Sequence, residues 1–113
     1  MSRLRNRVTL IGRLGQDPEV TTFDSGKQKV SMNVATTESY KNAKGEKQEE
    51  TQWHRAVIWS KLGDVAKNYL KKGNEVALEG KVVYRDYQDK EGVSRKTTEI
   101  VVDEMVLIGG KAS

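Results

Sequence analysis

The chain has 113 residues, enough for one hydrophobic core and too few for two. Only 35% are hydrophobic against 32% charged, and 20 Lys and Arg against 16 Asp and Glu leave a net charge of +4, which favours a polyanionic partner without requiring one. With no cysteine there is no disulfide framework, thiolate metal site or Cys nucleophile, and no apolar run approaches the roughly 20 residues of a membrane span.

The start, "MSRLRNRVTLIGRLG", is basic but its apolar positions are interrupted, so it offers no secretory segment and the cytoplasm is the default compartment. "RVTLIGRL" has apolar or small residues at Val8, Leu10, Gly12 and Leu14, the alternation of a half-buried strand. "GQDPEV" and "FDSGK" carry turn chemistry, and "QKVSMNVAT" alternates again through Val30, Met32 and Val34. "ESYKNAKGEKQEETQ" is polar throughout and reads as a long, mobile, solvated hairpin arm leading into a third strand, "WHRAVIW".

From Lys61 the period changes. Leu62, Val65, Ala66, Tyr69 and Leu70 fall on one face of an amphipathic helix of about three turns, with Ser60 placed to cap it, Gly73 to end it, and Lys71 and Lys72 in its last turn. "NEVALEGKVVYRDYQ" returns to period two with Val76, Leu78, Gly80, Val82 and Tyr84 on one face. After the turn "DKEG", "RKTTEIVVDEMVLIGG" closes the chain as a strand whose phase shifts near Asp103 and Glu104, as a bulge would make it.

The expected fold is therefore all-β: five strands with one α-helix between strands 3 and 4, the order of the OB-fold Greek-key barrel, with an α+β sandwich as the alternative. Gly12 and Gly80, inside strands, suit the sharp coiling of such a barrel.

Both tryptophans lie in one strand. Trp53, Arg55, Val57 and Trp59 share parity and face one side, while His54, Ala56 and Ile58 face the other. Small and branched residues suit a barrel interior, and an arginine between two indoles suits its outside, where the rings either cover a core or subunit contact or meet a ligand. Aromatics near cations recur: Tyr40 beside Lys41, Trp53 near Arg55, Trp59 near Lys61 and Tyr87 near Arg85. Single-stranded nucleic acid calls for such interleaving, because bases stack on flat rings at about 1–3 kcal/mol each while cations neutralise the phosphates, with little dependence on base identity. Tyr69 and Tyr84, in the buried phase of their elements, and Phe23, in a turn, are read as structural.

"RVTLIGRLGQDPEV", "TESY", "ETQWHRAVIWSKLGDVAKNYLKKGNEVALEGK" and "RKTTEIVV", in order over nearly the whole chain, resemble the DNA-binding domain of bacterial single-stranded DNA-binding proteins. The resemblance implies an OB-fold domain over 1–110 with a short C-terminal end at 111–113, a homotetramer, and binding and protection of single-stranded DNA at the nucleoid in replication, recombination and repair. It implies stacking roles for Tyr40, Trp53, Trp59 and Tyr87, phosphate contacts from Arg3, Arg7, Arg55, Lys61, Lys72 and Arg85, and a subunit contact at His54. No cofactor or metal is implied. Tyr40 and Tyr87 depart from the family, which commonly has Trp there; the smaller ring implies a modest loss of affinity per site. The family's flexible linker and acidic tip are absent after Lys111, Ala112 and Ser113, so recruitment of replication and repair proteins is expected only if a natural tail has been removed.

Catalysis is not expected. There is one His, no GxxxxGK[ST] loop and no HExxH, and the acidic neighbours Glu49 with Glu50 and Asp103 with Glu104 point to opposite faces of a strand. The remaining alternatives are an OB module that contacts protein through its tryptophan face and an oligosaccharide binder, which would not need so many flanking cations.

Overall fold

The computed structural model describes residues 4–59 and 61–109. Six strands and one helix follow in order: β1 (Val8–Leu14), β2 (Glu19–Thr22), β3 (Gln28–Lys41), β4 (Lys47–Ile58), α1 (Leu62–Tyr69), β5 (Glu75–Gln88) and β6 (Ser94–Gly109). They form one sheet in the order β1-β5-β6-β4-β3-β2, with β1 also pairing with β3. That extra pairing closes β1, β5, β6, β4 and β3 into the expected five-stranded OB-fold barrel. All pairings are antiparallel except β4 with β6, which run parallel at Ala56–Ile100 and Val57–Val101.

The sixth strand, β2, was not expected, and it places the helix between β4 and β5 rather than between strands 3 and 4. Its four residues are all exposed and carry no apolar alternation, so they leave no periodic trace. What makes them a strand is pairing: Glu19–Thr22 lie against Gln28–Ser31, joined by a turn in which the Phe23 N–H donates to the Lys27 carbonyl at 2.8 Å. The polar segment after Thr36 is likewise strand, since β3 and β4 stay in continuous register from Val30–Ile58 to Lys41–Lys47 as a two-stranded arm.

Alternation delivers the core as read. Leu14, Val30, Met32, Val34, Ala56, Ile58, Val76, Leu78, Ile100 and Val102 fill the barrel, and Ala66 and Leu70 of the helical segment complete it. Each fully buried Val, Leu, Ile or Met side chain contributes about 1.5–3 kcal/mol of transfer free energy.

The helix is shorter than its periodicity suggests, at 8 residues, and begins after Lys61, which makes no side-chain cap; the expected cap, Ser60, lies outside the described residues. Its buried face is Gly63, Ala66 and Leu70, while Val65 and Tyr69 are exposed, Tyr69 at 68%. Gly63 wins the inner position because a Cβ there would come within 3.1 Å of Val30, so the helix backbone packs directly on the barrel. Leu70 takes extended geometry and ends the helix, leaving Lys71, Lys72 and Gly73 in the connection to β5. Tyr84 is 75% exposed although it continues the buried phase of β5, because β5 and β6 run on past the barrel as a second arm.

Two strand glycines answer to close approach. A Cβ on Gly12 would strike the Ala35 carbonyl, where β1 turns from β5 to β3, and one on Gly80 would strike the Val101 carbonyl. Gly80 marks the expected bulge: Glu79 pairs with Glu104 and Gly80 with Val102, leaving Asp103 without a residue opposite.

Candidate nucleic-acid interface

The outer faces of β4 and β5, with β6 between them, bring together four of the eleven candidate residues: Trp53, Arg55, Arg85 and Tyr87. On β4, Trp53 and Arg55 point outward, and Val57, of the same parity, is fully buried at a register position between Ser31 and Val101. Trp53 is 63% exposed. Its indole lies across Gly15, where a Cβ would run into the ring, and with Gln16 and Asn33 these residues line a groove of about 260 Å³.

Next to this surface is a larger groove of about 400 Å³ lined by Arg55, Arg85, Tyr87, Thr97 and Glu99. Tyr87 is 51% exposed, two positions from Arg85 on β5, just as Trp53 is two positions from Arg55 on β4. At the groove floor the Glu99 carboxylate is only 3% exposed. Its Oε1 accepts from Arg85 Nε at 2.9 Å and its Oε2 from Arg55 Nε at 3.3 Å. Burial pushes this carboxyl up, but the hydrogen bonds from Arg85 and Arg55 and the nearby charges of Arg85 and Lys29 outweigh it, holding it below its ordinary value of 4.5. No sequence pattern marks Glu99, which looks like one more outward residue of an alternating strand.

Trp59 is more committed than Trp53. Phe23 stacks on it with centroids 5.7 Å apart and planes 22° apart, and the Lys29 ammonium lies 5.8 Å from the centroid of its ring. The structural reading of Phe23 thus holds, with the detail that its partner is a candidate site residue.

Other candidates lie apart. Tyr40 is half exposed on the β3–β4 arm opposite Gln48, on the alternate parity to Ala35, the residue facing Trp53, so it does not join that row. Lys61 and Lys72 are exposed on either side of α1; the Lys72 backbone N–H donates to Asp17 Oδ1 at 2.8 Å. Arg3 lies outside the described residues. His54 is half-buried on the opposite parity of β4 from Trp53, with Nε2 2.9 Å from Thr36 Oγ1.

Arg7 is held within the fold. Its Nη1 and Nη2 donate to Asp103 Oδ2 and Oδ1 at 2.8 and 3.0 Å, and Nη2 also reaches Glu79 Oε1 at 3.1 Å. This fork raises the Arg7 pKa and holds the Asp103 carboxyl below its ordinary value of 3.8. The bulge at Asp103 therefore turns a carboxylate outward for Arg7 to clamp. A phosphate would have to displace two carboxylates to use this guanidinium.

Among the described residues no helix is long and apolar enough to cross a membrane, and no three His, Cys, Asp or Glu side chains converge as metal donors would.

Comparison with known proteins gives a consistent result. The family model described as the single-strand binding protein family matches residues 5–108. The chain is 45% identical over 114 residues to single-stranded DNA-binding protein 1 of Chlorobaculum tepidum, covering 100% of this chain and 70% of that protein. It is 43% identical over 106 residues to the single-stranded DNA-binding protein of Neisseria meningitidis serogroup B, covering 94% of this chain and 61% of that protein. It thus spans about three fifths of the length of the first curated relatives it matches, at 61%. A solved structure, the Plasmodium falciparum SSB complex with ssDNA, superposes with a TM-score of 0.84 at 24% identity, covering 96% of this chain and 99% of that one, which establishes the likeness of fold.

The Arg7 clamp generates a pH signature. Because the folded Asp103 pKa is depressed, its contribution to stability is complete above the ordinary value of 3.8 and is lost as pH falls through the lower folded value. Arg7→Gln is expected to lower the unfolding midpoint at neutral pH, with the gap from the parent narrowing in acid; a gap that stays constant into acid would remove the clamp from the account.

Proposed function

The chain belongs to the single-strand binding protein family, and on that premise we propose that it binds and protects single-stranded DNA without sequence preference, serving replication, recombination and repair. The observation that carries this reading is the continuity of the outer face. Trp53 leads to Arg55, Arg55 meets Glu99, Glu99 meets Arg85, and Arg85 leads to Tyr87. Positions two apart on a strand are about 7 Å apart on one face, so each exposed ring has a guanidinium beside it. Bases would stack on Trp53 and Tyr87 while Arg55 and Arg85 neutralise phosphates. Trp59 contributes an edge or one ring face, braced by Phe23, and Tyr40, which lies off this row on the β3–β4 arm, is assigned a separate stacking contact. Lys61 and Lys72 serve as outlying phosphate contacts, and Arg3 is assigned the same role. Arg7 is read as a clamp first, entering only if a phosphate displaces Asp103 and Glu79.

This reading makes the molecule a binding protein without catalytic activity, organised as one single-stranded DNA-binding domain over 1–110 with a short C-terminal end at 111–113, and working in the cytoplasm at the nucleoid. Partner proteins for replication and repair are proposed only for a chain that continues into an acidic tail.

Assembly as a homotetramer is supported by an exposed apolar row across three strands. Ile11 of β1 pairs with Ala77 of β5, and Ala77 pairs with Val106 of β6; Ile11 and Val106 are 59% and 64% exposed. Covering such a row in another copy removes apolar surface from water. His54, tied to Thr36 on the opposite parity of β4 from Trp53, is assigned to a subunit contact.

Titration with oligo(dT) should quench tryptophan fluorescence strongly and duplex of equal length weakly, with affinity falling steeply as salt rises. Trp53→Ala should weaken binding by about 1–3 kcal/mol; an unchanged affinity would take Trp53 out of the site. For assembly, His54→Lys should lower the mass measured by light scattering at low concentration, and a retained tetramer mass would move the subunit contact away from His54.

A further inference from the structure

Glu99 is an odd residue to find on a surface proposed to attract a polyanion. It is 3% exposed, sits at the floor of the 400 Å³ groove, and removes one unit of positive charge from the face that should hold phosphates. Simple electrostatics would favour a neutral residue there.

The atoms involved suggest why a carboxylate is present. Both arginines approach Glu99 through Nε, at 2.9 Å for Arg85 and 3.3 Å for Arg55. A guanidinium has five donors in a rigid planar fork. When Nε is occupied from below, the plane is fixed and the two terminal nitrogens remain as the edge suited to bidentate contact with a phosphate. Arg55 keeps only a long 3.5 Å contact from Nη2 to Ser31 Oγ, and the two side chains are 41% and 48% exposed, so their outer parts stay accessible. Unlike Arg7, whose terminal nitrogens are spent on Asp103 and Glu79, these two arginines spend their inner edge and keep the outer one.

We infer that Glu99 is a positioning residue for single-strand binding: one buried carboxylate orients Arg55 and Arg85 by their Nε edges, so that their terminal nitrogens face the groove as paired phosphate receptors between Trp53 and Tyr87. The inference rests on the proposed single-strand site. It trades charge for order. Two long side chains are fixed before the ligand arrives, which lowers the ordering entropy that binding must otherwise overcome. Each Nε–H uses a different carboxylate oxygen, so a glutamine would put an NH2 donor in place of one of them, facing an Nε–H that is itself a donor.

The test measures oligo(dT) affinity across a salt series for the parent chain, Glu99→Gln and Arg85→Lys. Glu99→Gln adds a unit of positive charge, so charge alone predicts tighter binding and a salt slope steeper by about one. Positioning predicts the reverse: binding weakened about three- to tenfold, with a slope no steeper than the parent's. Arg85→Lys keeps the charge but has no Nε–H edge, and it should weaken binding similarly with the slope unchanged, which also covers the case of a Glu99→Gln chain that fails to fold. Parent-like or tighter binding by Glu99→Gln, or parent-like binding by Arg85→Lys, would overturn the positioning role while leaving the single-strand site intact. A parent chain that does not bind oligo(dT) would overturn the site itself, and the inference with it.

Discussion

β1 is hydrogen-bonded along both edges, to β5 from Val8 to Arg13 and to β3 at Arg13 and Leu14, and the proposed binding surface depends on this double pairing. A twisted sheet of five strands would otherwise keep two open edges and splay its outer faces apart. Closure requires β1 to pass from one neighbour to the other within a few residues, and Gly12 permits it because a side chain there would meet the Ala35 carbonyl. Once the barrel is closed, β4, β6 and β5 lie side by side with fixed register, and residues more than thirty positions apart in sequence become neighbours. Arg55 and Glu99 are such a pair, 44 positions apart.

The outer face holds two clusters built from similar parts with opposite results. Arg7 lies between Asp103 and Glu79, with its terminal nitrogens engaged, and it fastens β1 to the bulge of β6. Glu99 lies between Arg55 and Arg85, so the excess charge there is positive and the outer edges of both guanidiniums remain accessible. Counting arginines does not separate the two cases; what separates them is which nitrogen each carboxylate takes. Trp53 shows the same economy of position, since it keeps its exposure by lying over Gly15, the one residue type there with no Cβ to lift the ring away.

Much of the barrel was legible because its strands bury one face and expose the other. Val30, Met32, Val34, Ala56, Ile58, Val76 and Leu78 alternate along their strands and all are core, and the phase break at Asp103 is a real bulge. β2 was not legible, since four exposed residues held only by ladder hydrogen bonds leave no hydrophobic pattern. Tyr69 and Tyr84 followed the buried phase of their elements but are exposed: on α1 Gly63 takes the inner position, and β5 outruns the core before reaching Tyr84. Trp53, Arg55, Arg85 and Tyr87 stood out as aromatic and cation pairs within single strands. Glu99, the stacking of Phe23 on Trp59 and the capture of Arg7 by Asp103 depend on contacts between strands, and no local pattern reports them.

The central claim is that a single strand lies on the outer face of β4, β6 and β5, and the two tryptophan side chains report on it separately by position. The most direct measurement is a ¹⁵N–¹H spectrum of the indole N–H groups during titration with oligo(dT), assigned with Trp59→Phe. The account predicts a large shift of the Trp53 signal that saturates with the DNA and is absent with duplex. A Trp53 signal that stays in place while the protein binds the single strand would put the DNA on another face.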